Sequence, residues 1–407
     1  NMAINVLKPQ YHTQEVLDTI KECLESGWTG MGNKTEVFEQ EFIKYTNLNH
    51  AHFVNSATSG LHLALNVFKN IHGWDDGDEV ITTPLTFVST NHAILYENLT
   101  PVFADVDDQL CLDPNSLLTL ITPKTRAVMF VGLGGNVGQY EKVRDICIQH
   151  NIKIIYDAAH SMGTKLDRVY HGVAISKSQV GWDADAIIFS FQAVKNLPTA
   201  DSGMVCFKDK KYDTLSRQIS WLGIDKDTFA RTNRQGSYKW DYDVPNVGFK
   251  YNGNSIMAAV GLVQLKYVEE DNDYRRSLVE IYEKHLNLIP QIKIVNHNSQ
   301  CISARHLFQI LVEDREDLLQ YFYQNDVYPG VHYKSNKEYP MYKNCKGSTP
   351  KADQYQHQII SLPLHLSVTV DEVIKVCNLI KAYFENLNFF NELLNVKVKS
   401  SAAEVKV

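Results

Sequence analysis

Ile154-Ile155-Tyr156-Asp157-Ala158-Ala159-His160 is an unbroken apolar run closed by a carboxylate, two small residues and an imidazole. A run without polar alternation suits a strand buried on both faces, as in a sheet covered by helices on either side. Outward from it, similar short runs recur at His52-Phe53-Val54, Val80-Ile81-Thr82, Val102-Phe103, Ala127 to Val131 and Ala186 to Phe191. Longer segments of helical period separate them, which is βαβ patterning. The predicted fold class is α/β: a large domain on a mainly parallel mixed sheet, then a smaller α+β domain. The division expected is 1–250 for the large domain with its N-terminal helical segment and 251–390 for the small one. The polar or small residues of 391–407 read as a flexible tail.

The helices have readable ends and faces. Asp113 and Asn115 are placed to cap a segment through Leu120, and Val143, Ile146 and Cys147 form a stripe before Asn151. Gln14 to Ser26 carries Val16, Leu17, Ile20, Cys23 and Leu24 on one face, then breaks at Gly27-Trp28-Thr29-Gly30-Met31-Gly32. That loop suits either close approach to a ligand or a simple connection. After Tyr251, two helical segments lead to strands near Ile292 to Val295 and Leu307 to Val312, a helix from Glu316 to about Asn325, and a closing helix from Val370 to about Leu387.

Composition narrows the function. With 407 residues and 44% hydrophobic content, two cores are the expectation. A net charge of -7 offers no footprint for a nucleic-acid backbone and no polybasic membrane patch. Seven scattered cysteines without a C-x-x-C pair suggest reduced thiols in a cytoplasm. No run approaches the roughly 18 apolar residues of a membrane span, so the protein reads as soluble. Zinc-ligand spacing is absent and so is a Gly-x-Ser-x-Gly elbow; no metal is expected.

Three segments carry chemistry. In Phe189-Ser190-Phe191-Gln192-Ala193-Val194-Lys195-Asn196, a lysine follows a buried strand, where desolvation favours its neutral, nucleophilic form. A lone lysine in a turn is more often simply solvated. Asp157 closes an apolar strand, a suitable place for the anion a protonated pyridine needs, or for a turn or cap. Val54-Asn55-Ser56-Ala57-Thr58-Ser59-Gly60-Leu61 passes from strand to helix through small hydroxyl residues, which present N–H groups to a phosphate or merely cap the helix. Gly132-Leu133-Gly134-Gly135-Asn136-Val137-Gly138 invites a dinucleotide reading, but G-x-G-x-x-G would require glycine at Val137.

Taken together and in this order, the segments resemble the sugar-nucleotide aminotransferases of the DegT/DnrJ/StrS type, fold-type I pyridoxal-phosphate enzymes. The resemblance runs from Gly27-Trp28 to Ser361-Leu362-Pro363-Leu364-His365. It implies pyridoxal 5'-phosphate as cofactor, held covalently by Lys195, with Asp157 on the pyridine nitrogen and His160 near the ring hydroxyl. Phe87 is expected to stack on the ring, with Ala57, Thr58 and Ser190 on the phosphate and Gln192 beside the cofactor. Lys250 stands where the family commonly places an Asn that reaches the neighbouring subunit's phosphate, and Asn252 stands at the family's usual Arg. Trp28, Thr29, His332 and Tyr333 border the expected substrate site. The implied partners are a nucleotide-linked keto sugar, an amino-acid donor, usually L-glutamate, and a second copy of the chain in a homodimer with shared sites. The resemblance further implies amination at C-3 or C-4 of a deoxy sugar, of the kind built into lipopolysaccharide O-antigen. Lys195 argues against the dehydratase branch, which has histidine there. The alternatives are a nicotinamide-dependent oxidoreductase built on the Gly132 loop and a non-catalytic ligand sensor on the same fold.

Overall fold

A computed structural model describes residues 2–170, 173–225 and 241–404. Its centre is a seven-stranded sheet in the order His52–Val54, Gly203–Phe207, Ala186–Ser190, Lys153–Asp157, Thr125–Val131, Glu79–Thr82, Thr100–Phe103. Every pairing is parallel except those of Gly203–Phe207, which runs antiparallel to both neighbours. Alternate residues of the apolar runs feed two separate cores, one on each face. Val128, Phe130, Ile154, Tyr156, Ile187 and Phe189 join Phe38 and Phe42 of helix Asn33–Thr46. Met129, Ile155, Ala186 and Ile188 join Leu61, Leu65 and Phe68 of helix Ala57–His72. This explains the unbroken hydrophobicity: each strand position faces a helix, and each large side chain so buried contributes about 1.5–3 kcal/mol.

Glycines allow the closest approaches. A Cβ on Gly203 would lie 2.7 Å from both the Ala57 nitrogen and the Phe189 oxygen, so only glycine lets helix Ala57–His72 begin against the sheet.

The second core surrounds an antiparallel sheet of Ile292–Ile294, Phe308–Val312 and Ile359–Leu362. Leu278 and Tyr282 of helix Val268–Leu286, Phe322 of helix Arg315–Gln324, and Val373 and Ile380 of helix Val370–Glu404 cover it. Four details differ from the sequence expectation. Strand Ile4–Asn5 pairs in parallel with Val327–Tyr328, so the N-terminal end packs with the small core. Helix Ser255–Leu265 places Ala258 and Leu265 in the large core, so the cores do not part after Lys250 but along helix Val268–Leu286. Residues 391–404, expected as a tail, continue the closing helix. A hairpin of Lys165–Tyr170 and Val173–Gln179 was not anticipated. Helix Thr13–Ser26 buries Val16 and Cys23 but leaves Leu17 and Leu24 exposed at 55% and 62%.

Candidate active site

The strands Lys153–Asp157 and Ala186–Ser190 are parallel neighbours, with Asp157 opposite Ile188, which brings the ends at Asp157 and Ser190 to one rim of the sheet. Ligands of open α/β sheets bind at this carboxyl rim. Here a cavity of about 400 Å³ is lined by Ala57, Thr58, Phe87, Asp157, His160, Ser190, Gln192, Lys195, His332 and Tyr333, all expected from sequence. It is of a size to hold a small cofactor with part of a substrate.

Asp157 is buried and accepts from Thr90 Oγ1 at 2.7 Å and from the Ala159 N–H at 3.1 Å. Burial raises its pKa, opposed by these two bonds and by the charge of Lys195. Among the described residues no cation forms an ion pair with it, so a buried carboxylate faces the cavity without a paired charge. Lys195 closes a turn in which its own backbone N–H donates to the Gln192 carbonyl at 2.9 Å. Burial lowers its amine to about 8, against the opposing pull of Asp157.

The opposite wall is the start of helix Ala57–His72. Ser56 caps it by accepting from the Ser59 N–H at 3.0 Å, leaving the Ala57 and Thr58 N–H groups at the open end. Thr58 Oγ1 donates to Ser89 Oγ at 2.8 Å. Helix N-terminus, hydroxyls and Ser190 together form a cup suited to a phosphate.

The imidazoles are held neutral. His160 Nδ1 accepts from the Gly134 N–H at 2.9 Å, so its proton sits on Nε2, 3.2 Å from Tyr333 Oη. Burial, then Lys195, depresses His160 well below the usual range, and the same causes bring His332 to about 4. Burial raises Tyr333, which therefore stays a phenol whose own proton is available to the cavity. Phe87 is 58% exposed, its ring 6.1 Å from that of Tyr333, so one face is open for stacking.

Three expected residues do not line this cavity. Trp28 and Thr29 are exposed on the loop after helix Thr13–Ser26. Lys250 is exposed, with Nζ 3.3 Å from the Trp221 ring centroid, and touches the phosphate-cup loop only through its carbonyl, which accepts from Asn55 Nδ2 at 3.1 Å. Sequence reasoning missed Thr90, Ser89, His306 and Asp201, all in the wall. Thr90 carried a legible signal, since it lies three residues after Phe87 on the first turn of helix Val88–Tyr96; His306 carried none.

The Gly132 loop is filled by protein, which corrects the oxidoreductase alternative. A Cβ on Gly132 would lie 2.5 Å from Ser161 Oγ, and one on Gly135 would lie 2.9 Å from the Arg305 nitrogen. Its N–H at Gly134 is spent on His160. Among the described residues no helix is long and apolar enough to cross a membrane.

The family model described as the DegT/DnrJ/EryC1/StrS aminotransferase family matches residues 10–381. The spore coat polysaccharide biosynthesis protein SpsC of Bacillus subtilis is 32% identical over 372 residues, covering 88% of this chain and 92% of that one. Among solved structures, the aminotransferase TlmJ from Streptoalloteichus hindustanus superposes with a TM-score of 0.85 at 26% identity, covering 95% of this chain and 100% of the other. Helicobacter pylori PseC, an aminotransferase involved in the biosynthesis of pseudoaminic acid, gives 0.84 at 26% identity, covering 94% and 100%.

Proposed function

The chain belongs to the DegT/DnrJ/EryC1/StrS aminotransferase family, whose enzymes depend on pyridoxal phosphate, and from that premise we propose that it aminates a nucleotide-linked keto sugar. The donor is an amino acid, L-glutamate by the family's usage, and the acceptor carbon is C-3 or C-4 of a deoxy sugar. The observation that carries this reading is the pairing, across one cavity, of a lysine brought to about 8 and a buried carboxylate without an ion-pair partner among the described residues.

These residues fit the cofactor. Lys195 would hold it covalently, Asp157 would face its ring nitrogen, Phe87 its ring face, His160 its hydroxyl edge, and Ala57, Thr58 and Ser190 its phosphate, with Gln192 alongside. Bound pyridoxal phosphate supplies a carbonyl that takes the amino group and a protonated ring that draws electrons from the donor's α-carbon. The protein does the rest. Lys195 Nζ, partly neutral near pH 8, would take the proton from the donor's α-carbon and pass it to the cofactor carbon that receives the amino group, and in the second half-reaction would carry a proton from that carbon to the sugar carbon. Asp157 keeps the ring nitrogen protonated, and the phosphate cup keeps the cofactor in register while the lysine is free. Tyr333 and His332 border the sugar, with the Tyr333 hydroxyl as a donor.

Lys250, Trp28 and Thr29, exposed and outside their own cavity, are assigned to the partner's site in a homodimer. The likeness to a spore coat polysaccharide protein supports a surface polysaccharide as destination, O-antigen being one such product. The free thiols suit a cytoplasmic setting.

Borohydride reduction of the holoenzyme, followed by peptide mapping, tests the assignment. Label at Lys195 together with amino transfer from glutamate to a panel of UDP- and dTDP-linked 3-keto and 4-keto sugars is expected. Label at another lysine removes Lys195 from the mechanism.

A further inference from the structure

His306 reaches the cavity from the segment leading into strand Phe308–Val312, and its neighbours decide which of its nitrogens carries the proton. Two groups of fixed polarity start the chain of reasoning. The Ala304 carbonyl only accepts, and it takes a bond from the Asn196 amide at 2.9 Å, so that end of Asn196 is Nδ2. The Arg275 guanidinium only donates, and it approaches Asn272 Oδ1 at 3.4 Å, so Asn272 Oδ1 is also the acceptor of the second Asn196 Nδ2 bond, at 2.8 Å. Asn272 Nδ2 in turn donates to the Met162 carbonyl at 3.0 Å. The atom of Asn196 that faces His306 Nδ1 at 3.0 Å is therefore its oxygen, and the imidazole must donate to it.

Burial, reinforced by the neighbouring cations Lys195 and Arg275, keeps His306 neutral. Its Nε2 is then an unprotonated acceptor. His306 and Lys195 line the same cavity, and the Nδ1 bond to Asn196 leaves Nε2 as the imidazole's remaining polar atom there, whereas His160 Nε2 carries a proton toward Tyr333. Asn196 directly follows Lys195, so the network that sets the His306 tautomer also anchors the lysine's turn. The covalent link to the cofactor forms when the amine lone pair adds to the aldehyde carbon and water leaves. That step needs a neutral amine whose lone pair points at the ring.

We propose that His306 Nε2 accepts a hydrogen bond from the Lys195 ε-amine and is a positioning residue that aims the amine's lone pair at the cofactor aldehyde. The inference rests on Lys195 as the cofactor lysine.

Full-length protein stripped of cofactor and mixed with pyridoxal phosphate reports link formation by absorbance. Pyridoxine 5'-phosphate, which has no aldehyde, reports binding alone. In His306→Phe, link formation slows about tenfold or more, the loss of one hydrogen bond to the amine, while affinity for pyridoxine phosphate stays within about twofold. Asn196→Leu gives the same split, and ¹⁵N spectra of histidine-labelled protein show the His306 proton fixed on Nδ1 in wild type and redistributed in this variant. An unchanged rate in His306→Phe overturns the proposal. Equal losses for both ligands also overturn it, because they mark a purely structural role. If wild-type borohydride label maps away from Lys195, the underlying assignment has failed, and the two failures are told apart by that map.

Discussion

Asp157→Asn keeps the shape of a buried side chain and removes one charge, which makes its cost calculable. The carboxylate faces a cavity in which, on the proposed reading, a protonated pyridine nitrogen is its counterion. Two unit charges about 4 Å apart at an effective dielectric near 20 interact by about 4 kcal/mol. Losing that stabilisation in the transition state slows the step by about a thousandfold, at about 1.4 kcal/mol per decade. The amide also faces two donors, Thr90 Oγ1 and the Ala159 N–H, with only one oxygen, so one bond is lost as well. A second consequence has a definite sign. Asp157 holds the Lys195 amine up against its desolvation, so removing the charge moves the lysine's titration below about 8. Single-turnover absorbance changes with an amino-acid donor measure the first effect. The pH dependence of amine labelling in cofactor-free protein measures the second. A donor half-reaction within tenfold of wild type, or a lysine profile that stays in place or moves to higher pH, would refute the pairing.

Thr90→Val deletes a donor to Asp157, so the carboxylate's pKa rises further and the half-reaction slows about ten- to a hundredfold, with the loss largest at low pH; a flat pH dependence counts against it. Gly203→Ala forces a Cβ to within 2.7 Å of backbone at the helix start, and the resulting shift costs about 1–3 kcal/mol in denaturant unfolding together with weaker cofactor retention. Retention equal to wild type would separate that glycine from the phosphate cup. Heterodimers of Lys195→Ala and Lys250→Ala chains place both lesions in one site and leave the other whole. Activity approaching half of wild type per heterodimer supports a shared site, and none from verified heterodimers assigns Lys250 to its own chain or to no role.

The cavity wall proposed to hold the cofactor was legible as a cluster because its residues lie where strands end. Strands covered on both faces give no alternation, but the switch from Ile-Ile-Tyr to Asp157 and from Ile-Ile-Phe to Ser190 marks where the chain leaves the sheet. Residues there share one rim whatever the strand order. The order itself is not encoded locally: nothing in Gly-Met-Val-Cys-Phe distinguishes the antiparallel insertion of Gly203–Phe207 from another parallel strand. The paired strands Lys165–Tyr170 and Val173–Gln179 carry no such signal, because their mixed polar sequence contains no apolar run.

His306 and the N-terminal helix show the deeper reason that sequence falls short. His306 matters through Asn196 and Asn272, partners 110 and 76 positions apart in their respective bonds, so its role exists only once the two cores close on each other. On helix Thr13–Ser26 the periodicity correctly gathered five apolar residues on one face, yet the fold covers Val16 and Cys23 and leaves Leu17 and Leu24 in the open. Periodicity measures how much surface a helix needs to bury, not whether its own chain supplies the cover. The same helix leads into Trp28 and Thr29, which stand outside their own cavity, as does Lys250. An apolar flank left uncovered on the helix that leads into Trp28 and Thr29, with Lys250 also outside the cavity, is the pattern expected where a second copy completes the site. The heterodimer experiment tests the Lys250 half of that expectation directly.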